Sequence, residues 1–187
     1  KLLADPELPI KLAQGRRDEV RPCVYCYACV SQIFINQRVK CTVNAQVGHE
    51  HEFQVEPATT PRQVLVVGGG PAGMEAARVA AMRGHRVTLV ERGERLGGTL
   101  FFAGLAYDPN GRLLDSLVTQ LRKLPIEVRL GTAATPALVA QLRPDVIVVA
   151  TGALRGTPDI PGAHQAHVWS GDELRRLMTG DGSDEIA

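Results

Sequence analysis

All four cysteines of this 187-residue chain fall between positions 23 and 41, in the stretch RPCVYCYACVSQIFINQRVKC, at the spacing C-x2-C-x2-C-x11-C. Thiols clustered this tightly, in a chain with no signal-peptide pattern, point to metal or redox chemistry before disulfides. Structural zinc favours two separated C-x2-C knuckles that close a tetrahedron from opposite sides. Three cysteines in one run with a fourth from a distance suit a cubane, in which each iron corner takes one thiolate. The spacing therefore favours a 4Fe-4S cluster on Cys23, Cys26, Cys29 and Cys41, with zinc second and a pair of disulfides third. Val24, Val30, Ile33, Phe34 and Ile35, interleaved with the cysteines, would either shield a cluster or serve as plain core. His49 and His51 sit on a polar stretch and read as exposed side chains, not as further ligands.

A second chemical pattern begins at Val64. The apolar run VLVV stops at glycines, and Gly68, Gly70 and Gly73 have the G-x-G-x-x-G spacing. At such a turn the first glycine allows a tight exit from a strand, the second lets a pyrophosphate approach, and the third lets a helix pack on the strand. Pro71 suits the first helical positions, and Ala76, Ala77, Ala80 and Ala81 keep the helix slim. Gly84 reads as its C-terminal cap. The next strand, 86–90, delivers Glu91 about 20 residues past the glycines, where a carboxylate can accept hydrogen bonds from an adenosine ribose and disfavours a 2′-phosphate. FAD, ADP and NAD are not separated by this motif alone, since a helix N-terminus favours any phosphate.

The remaining elements must carry these two patterns. Asp5 and Pro6 can open a short helix that Gly15 closes. From Asn44 to Pro61 the chain turns polar and reads as a linker. After Gly98 the stretch 99–110 shows no clear period, and a helix is expected over about 112–123, with Leu113, Leu114, Leu117, Val118 and Leu121 on one face. A third strand is expected at 127–130. Thr135 and Pro136 then open a helix through Leu142, and a fourth strand spans 145–150 and runs into Thr151 and Gly152. Ser170 and Glu173 form a capping box for one more short helix. Alternating strands and helices of this length predict an α/β fold, a doubly wound and mostly parallel sheet with Gly68, Glu91 and Thr151 at its carboxyl edge.

The composition narrows the field further. With a net charge of +1, interspersed charges and 4% aromatic residues, neither a basic groove nor a stacking platform for nucleic acid is indicated. No apolar run approaches the ~20 residues of a membrane helix. The expectation is a cytoplasmic chain with no nucleic-acid or membrane partner. It opens on Lys rather than Met, and is expected to be a piece of something longer.

Taken together, RPCVYC-x2-C, a distal Cys41 followed by TVN, VLVVGGGPAGMEAA, GHRVTLVE, LGG and VVATGA resemble the C-terminal half of the iron–sulfur flavoprotein oxidoreductases related to 2,4-dienoyl-CoA reductase and trimethylamine dehydrogenase. ADPELPIKLAQGR resembles the last helix of the old-yellow-enzyme-like barrel that precedes the cluster in that family. GTLFFAGLAYDPNGRLLDSL further resembles the branch associated with the mycofactocin redox system. The resemblance implies a Rossmann-like FAD/NAD(P)-binding parallel sheet, incomplete here, preceded by a small four-cysteine iron–sulfur segment. It divides the chain into 1–20 as the end of an absent barrel, 21–48 as the cluster segment, 49–61 as linker, and 62–187 as a truncated FAD- or ADP-binding domain.

The implied activity is an NAD(P)H:flavin oxidoreductase that relays electrons from NAD(P)H through FAD and the cluster to an FMN in the barrel. As a fragment it is not expected to act alone. The resemblance carries Cys23, Cys26, Cys29 and Cys41 to the cluster, Gly68, Gly70, Ala72 and Gly73 to the pyrophosphate, and Glu91 to the ribose. Arg92, Leu96, Gly98, Thr151 and Gly152 line the same nucleotide. The barrel with its FMN and the NAD(P)H-binding part are missing from this stretch and would be supplied in cis or in trans. Two alternatives stand beside this reading: a nucleotide-binding module with a structural zinc and no redox role, and an electron-transfer subunit akin to the small subunit of glutamate synthase.

Overall fold

The computed structural model describes residues 1–153 and 158–179. Within the expected domain 62–187, positions 154–157 and 180–187 lie outside the described residues. Four parallel strands form one sheet: β1 (Gln63–Val67), β2 (Arg86–Val90), β3 (Ile126–Arg129) and β4 (Val146–Val149). Their spatial order is β3-β2-β1-β4, so the order reverses between β1 and β4. Every strand lies within a residue of its expected place, because short β-branched runs bounded by Gly, Pro and Asp leave little choice of register.

Among the described residues seven α-helices surround or precede the sheet: α1 (Leu8–Ala13), α2 (Ala28–Phe34), α3 (Pro71–Met82), α4 (Thr99–Ala106), α5 (Asp108–Arg122), α6 (Pro136–Leu142) and α7 (Gly171–Thr179), with a 3-10 turn at Arg17–Glu19. Helices α3 and α5 cover one face of the sheet. Val64 and Val66 of β1 and Val87 and Leu89 of β2 point to that face and meet Met74, Ala77 and Ala81 of α3 and Leu114, Leu117 and Leu121 of α5. The opposite face is thinly covered at the β4 edge, where Ile147 and Val149 are exposed. An apolar, open edge of this kind is an invitation to further strands or to association.

Local signals explain several helix ends. The Thr135 hydroxyl accepts the N–H of Leu138, and Ser170 and Glu173 exchange the two reciprocal bonds of a capping box, at 2.7 and 3.2 Å. Gly84 follows α3 at φ +85°, as a left-handed C-terminal stop requires.

Several helices depart from the sequence reading. Helix α4 forms where no period was visible: TLFFAGLA is apolar nearly all round, so it shows no polar face to reveal a helix. It is instead held against α5 by a close crossing, in which a Cβ on Gly104 would stand 3.0 Å from the Gly111 Cα. Helix α5 accordingly starts four residues earlier than expected, at Asp108, after an extended Tyr107. Helix α2 is likewise new, and it overturns the core reading of its side chains: Val24 is buried, while Val30, Ile33, Phe34 and Ile35 are exposed.

The first 61 residues are tied to the sheet domain by polar contacts. Asp5 does not cap α1, whose first residue is Leu8. It is buried, and its carboxylate takes the Lys11 ammonium at 2.8 Å and the backbone N–H groups of Arg21 at 2.8 Å and Glu7 at 3.1 Å. The Asn44 amide donates to the Leu3 carbonyl. Lys123, just past α5, reaches Asp18 and Glu19, and the Arg83 side chain and carbonyl hold the linker at Glu56 and Ala58.

Two outcomes follow from these contacts. Burial alone would raise the Asp5 carboxyl, but the hydrogen bonds from Lys11, Arg21 and Glu7 and the Lys11 charge outweigh it and hold it below its ordinary 3.8. Its contribution is therefore complete above that value and is lost as pH falls through the lower folded value. Urea denaturation between neutral pH and about pH 3 should show this loss, and Asp5→Asn should make the pH dependence shallower and cost about 1.5–3 kcal/mol at neutral pH. In the sheet domain, a Cβ on Gly73 would lie 1.8 Å from the Gly68 carbonyl oxygen. Gly73→Ala should cost at least 1–3 kcal/mol, roughly the overpacking range, with or without ligand.

Candidate functional site

The glycine turn leaves β1 at Gly68, whose φ is +107° and where an added Cβ would strike the Ala150 carbonyl oxygen at 2.4 Å. Only glycine satisfies both demands. Gly69 is equally confined, with the Leu96 side chain 2.6 Å from the place of a Cβ, although the motif does not single it out. Gly70 differs from both: nothing lies within 4 Å of an added Cβ, so the space above it is open. Ala72 follows on the exposed first turn of α3, and the N–H groups of this 12-residue helix make its start a ready site for phosphate.

Glu91 is the clamp on this loop. One carboxylate oxygen accepts the Gly69 N–H at 2.6 Å and the other the Gly93 N–H at 2.8 Å. Each oxygen keeps a further lone pair for an incoming hydroxyl. The returning chain closes on the same loop: the Gly97 N–H donates to the Gly69 carbonyl at 2.8 Å, and a Cβ on Gly98 would stand 3.3 Å from the Gly70 Cα.

A cavity of about 630 Å³ opens beside the loop. Of the residues expected at a nucleotide, Gly68, Glu91, Arg92, Gly98, Thr151 and Gly152 line it. Leu96 and Gly73 stand behind the wall, supporting Gly69 and Gly68. Sequence reasoning missed Thr132, Ala133 and Ala134 after β3 and Asp172, Arg175 and Arg176 on α7. No motif marks these positions; the sheet order and the return of α7 bring them in. Another cavity, of about 490 Å³, lies at the opposite edge and is lined by residues such as Gln63, His85 and Arg86. Of the two, the first has the position where ligands bind in sheets of this kind, outside the carboxyl ends of the strands at the reversal of strand order.

The cysteine segment folds into a turn of a different kind. Tyr25 and Tyr27 adopt left-handed conformations, φ +52° and +57°, uncommon for non-glycine residues, and they bend the chain between successive cysteines. All four cysteines are free. The Tyr25 N–H points to the Cys23 sulfur at 3.4 Å, and the Cys26 sulfur lies 3.0 Å from the Thr42 hydroxyl. That hydroxyl, with smaller help from backbone N–H groups, holds the Cys26 thiol below its ordinary range against the opposing effect of burial. Among the described residues no set of three or more Cys, His, Asp or Glu side chains is gathered tightly enough to hold a metal ion; the thiols are spread along the loop. His49 bonds Glu52 at 2.8 Å and stacks on Phe53.

Arg21 is half-buried and feels charges carried by both segments. Burial and the Arg78 charge lower its affinity for its proton, while the acidic groups of Glu75, Asp5 and Cys41 raise it. Glu75 and Arg78 belong to α3 and pair with each other at 2.7 Å. The helix that starts at the glycine loop therefore also carries charges that act on Arg21. No helix among the described residues is long and apolar enough to cross a membrane.

Comparison with known proteins agrees with this geometry. The FAD dependent oxidoreductase family model matches residues 63–135. An NADH oxidase of Thermoanaerobacter brockii is 38% identical across 99% of this chain and 30% of its own length. A metal reductase of Desulforamulus reducens is 42% identical across 86% of this chain and 25% of its own. Among solved structures, the 6-hydroxypseudooxynicotine amine oxidase of Pseudomonas geniculata superposes with a TM-score of 0.85 at 34% identity, over 94% of this chain and 29% of that one. The chain thus spans between 25% and 30% of the length of these relatives. With the parallel sheet and glycine loop already in place, the chain belongs to the FAD-dependent oxidoreductases related to 2,4-dienoyl-CoA reductase and trimethylamine dehydrogenase.

Proposed function

We propose that this chain is the electron-transfer portion of an NAD(P)H-dependent oxidoreductase that uses FAD and a 4Fe-4S cluster. The observation that carries the reading is the convergence of Gly68, Glu91, Arg92, Thr151 and Gly152 on one cavity at the reversal of strand order. On this reading residues 1–20 end a barrel domain, 21–48 hold the cluster, 49–61 link, and 62–187 bind FAD, with ADP as the other candidate nucleotide. The remaining barrel, with FMN, and the NAD(P)H-binding part act in cis or in trans.

Each residue has a defined task. The open space over Gly70 admits a pyrophosphate, and the start of α3 faces it with unpaired N–H groups. Glu91 holds the loop through Gly69 and Gly93 and offers its remaining lone pairs to the ribose hydroxyls. Thr151 and Gly152 form the far wall, and Arg92 and Gly98 the rim. Four free thiols provide the soft donor set a cluster needs. When bound, the flavin supplies two-electron chemistry and the cluster one-electron chemistry. A relative named NADH oxidase supports a reduced nicotinamide as donor.

Iron, sulfide, zinc and flavin analysis of protein purified without oxygen tests the reading. About four irons and four sulfides per chain support it; a single zinc with no sulfide and no flavin sinks it in favour of the structural module. Cys26→Ser should abolish the visible absorbance of the cluster while sparing nucleotide binding, and normal iron content in that variant would count against the assignment. Because a Cβ on Gly70 meets nothing in the protein, Gly70→Ala should change stability by no more than about 1 kcal/mol. It should nevertheless weaken FAD binding tenfold or more, as read by flavin fluorescence titration; undiminished affinity would refute the pyrophosphate contact.

A further inference from the structure

Helix α7 contributes Asp172, Arg175 and Arg176 to the cavity beside the glycine turn, and none of the three has a task in the reading above. Among the described residues, five charged side chains line that cavity, and three of them are arginines: Arg92, Arg175 and Arg176, against Glu91 and Asp172. Glu91 already directs both carboxylate oxygens at the N–H groups of Gly69 and Gly93, so part of its charge is met inside the loop. The balance that remains favours an anion. We propose that Arg175 and Arg176 are binding residues of this cavity, a cationic wall that takes a phosphate of a nucleoside diphosphate whose other contacts are with the glycine turn and the start of α3. The proposal deepens the nucleotide reading above and rests on it.

The ends of α7 place it for this role. Ser170 and Glu173 cap its start. At its other end the Arg95 guanidinium donates to the Thr179 carbonyl at 3.0 Å and lies 4.4 Å over the Phe101 ring of α4. Helix α4 begins at Thr99, directly after the Gly98 that closes on Gly70. Helix α7 is therefore tied to the loop that shapes the cavity. Arg175 is half-buried and Arg176 exposed. The Arg176 Nε donates to the Asp172 carbonyl one turn back, at 3.4 Å, a bond that uses neither terminal nitrogen of the guanidinium fork. Such a fork matches two phosphate oxygens at once, and cations in a cleft with low-dielectric walls attract an anion more strongly than cations on an open surface. A cation in the last turn also complements the helix C-terminus. That second role concerns stability and is indifferent to the charge of a ligand, so ligands with and without phosphate separate the two.

The test uses the full chain, freed of nucleotide, and isothermal titration with ADP and with adenosine. The variants are the pair Arg175→Met and Arg176→Met, which keeps long apolar stems and removes both charges, and the pair Arg175→Lys and Arg176→Lys, which keeps the charges. The Met pair should bind ADP about tenfold more weakly, the loss of a charge-assisted hydrogen bond, and bind adenosine as wild type does. The Lys pair should retain part of the lost affinity, and a Lys pair as weak as the Met pair overturns the charge contact. An ADP affinity within threefold of wild type in the Met pair, or an equal loss for ADP and adenosine, also overturns the proposal. Should the Met pair fail to fold, Arg176→Met alone, at its exposed position, must show the loss that is selective for ADP, and its absence overturns the proposal. Wild type that binds ADP no more tightly than adenosine sinks the diphosphate reading itself, an outcome seen before any variant is compared.

Discussion

Helix α3 can lie where it does only because Gly73 has no side chain. A Cβ there would occupy the position of the Gly68 carbonyl oxygen, 1.8 Å away, and the helix would have to leave the strand. With the helix seated, Met74, Ala77 and Ala81 reach the apolar face of β1 and β2, and the start of the helix is brought over the turn that leaves β1. Core packing and the placing of the helix start over the glycine turn thus depend on the same close approach of backbone to backbone.

The Glu91 carboxylate extends that dependence to the second strand. By taking the N–H of Gly69 it ties the end of β2 to the turn after β1, and by taking the N–H of Gly93 it shapes the chain that returns through Gly97 and Gly98 onto Gly70. A buried-edge carboxylate with two backbone donors is held in one orientation before any ligand arrives, so little ordering cost is left for binding. The loop is therefore preorganised by Glu91.

Electrostatics links this domain to the cysteine segment. Arg21 stands among Asp5, Glu75, Arg78 and Cys41, and the Asp5 carboxylate accepts the Arg21 N–H. One side of α3 serves the core and another carries Glu75 and Arg78, whose charges act on Arg21. The helix is thus a rigid element common to the core and to the electrostatics of the N-terminal segment.

Much of this was legible in the amino-acid order. The strands were, because short β-branched runs between turn residues have one register; so were the caps at Thr135 and Ser170, because a hydroxyl and a carboxylate at those spacings bond locally. The glycine turn after β1 and the place of Glu91 at the end of β2 were legible for the same reason: both follow from residue type and spacing. Helix α4 was not, since an all-round apolar segment has no period and its place depends on Gly104 meeting Gly111. The exposure of Ile33 and Phe34 on α2, the roles of Asp5 and Gly69, and the meeting of Cys26 with Thr42 were also hidden. So were Thr132 and the α7 side chains at the cavity, whose arrival there depends on the order in which strands pair. Local geometry is written in neighbours along the chain, and the sequence alone determined it. Which distant segments touch is a matter of long-range packing, and only the tertiary structure decided that.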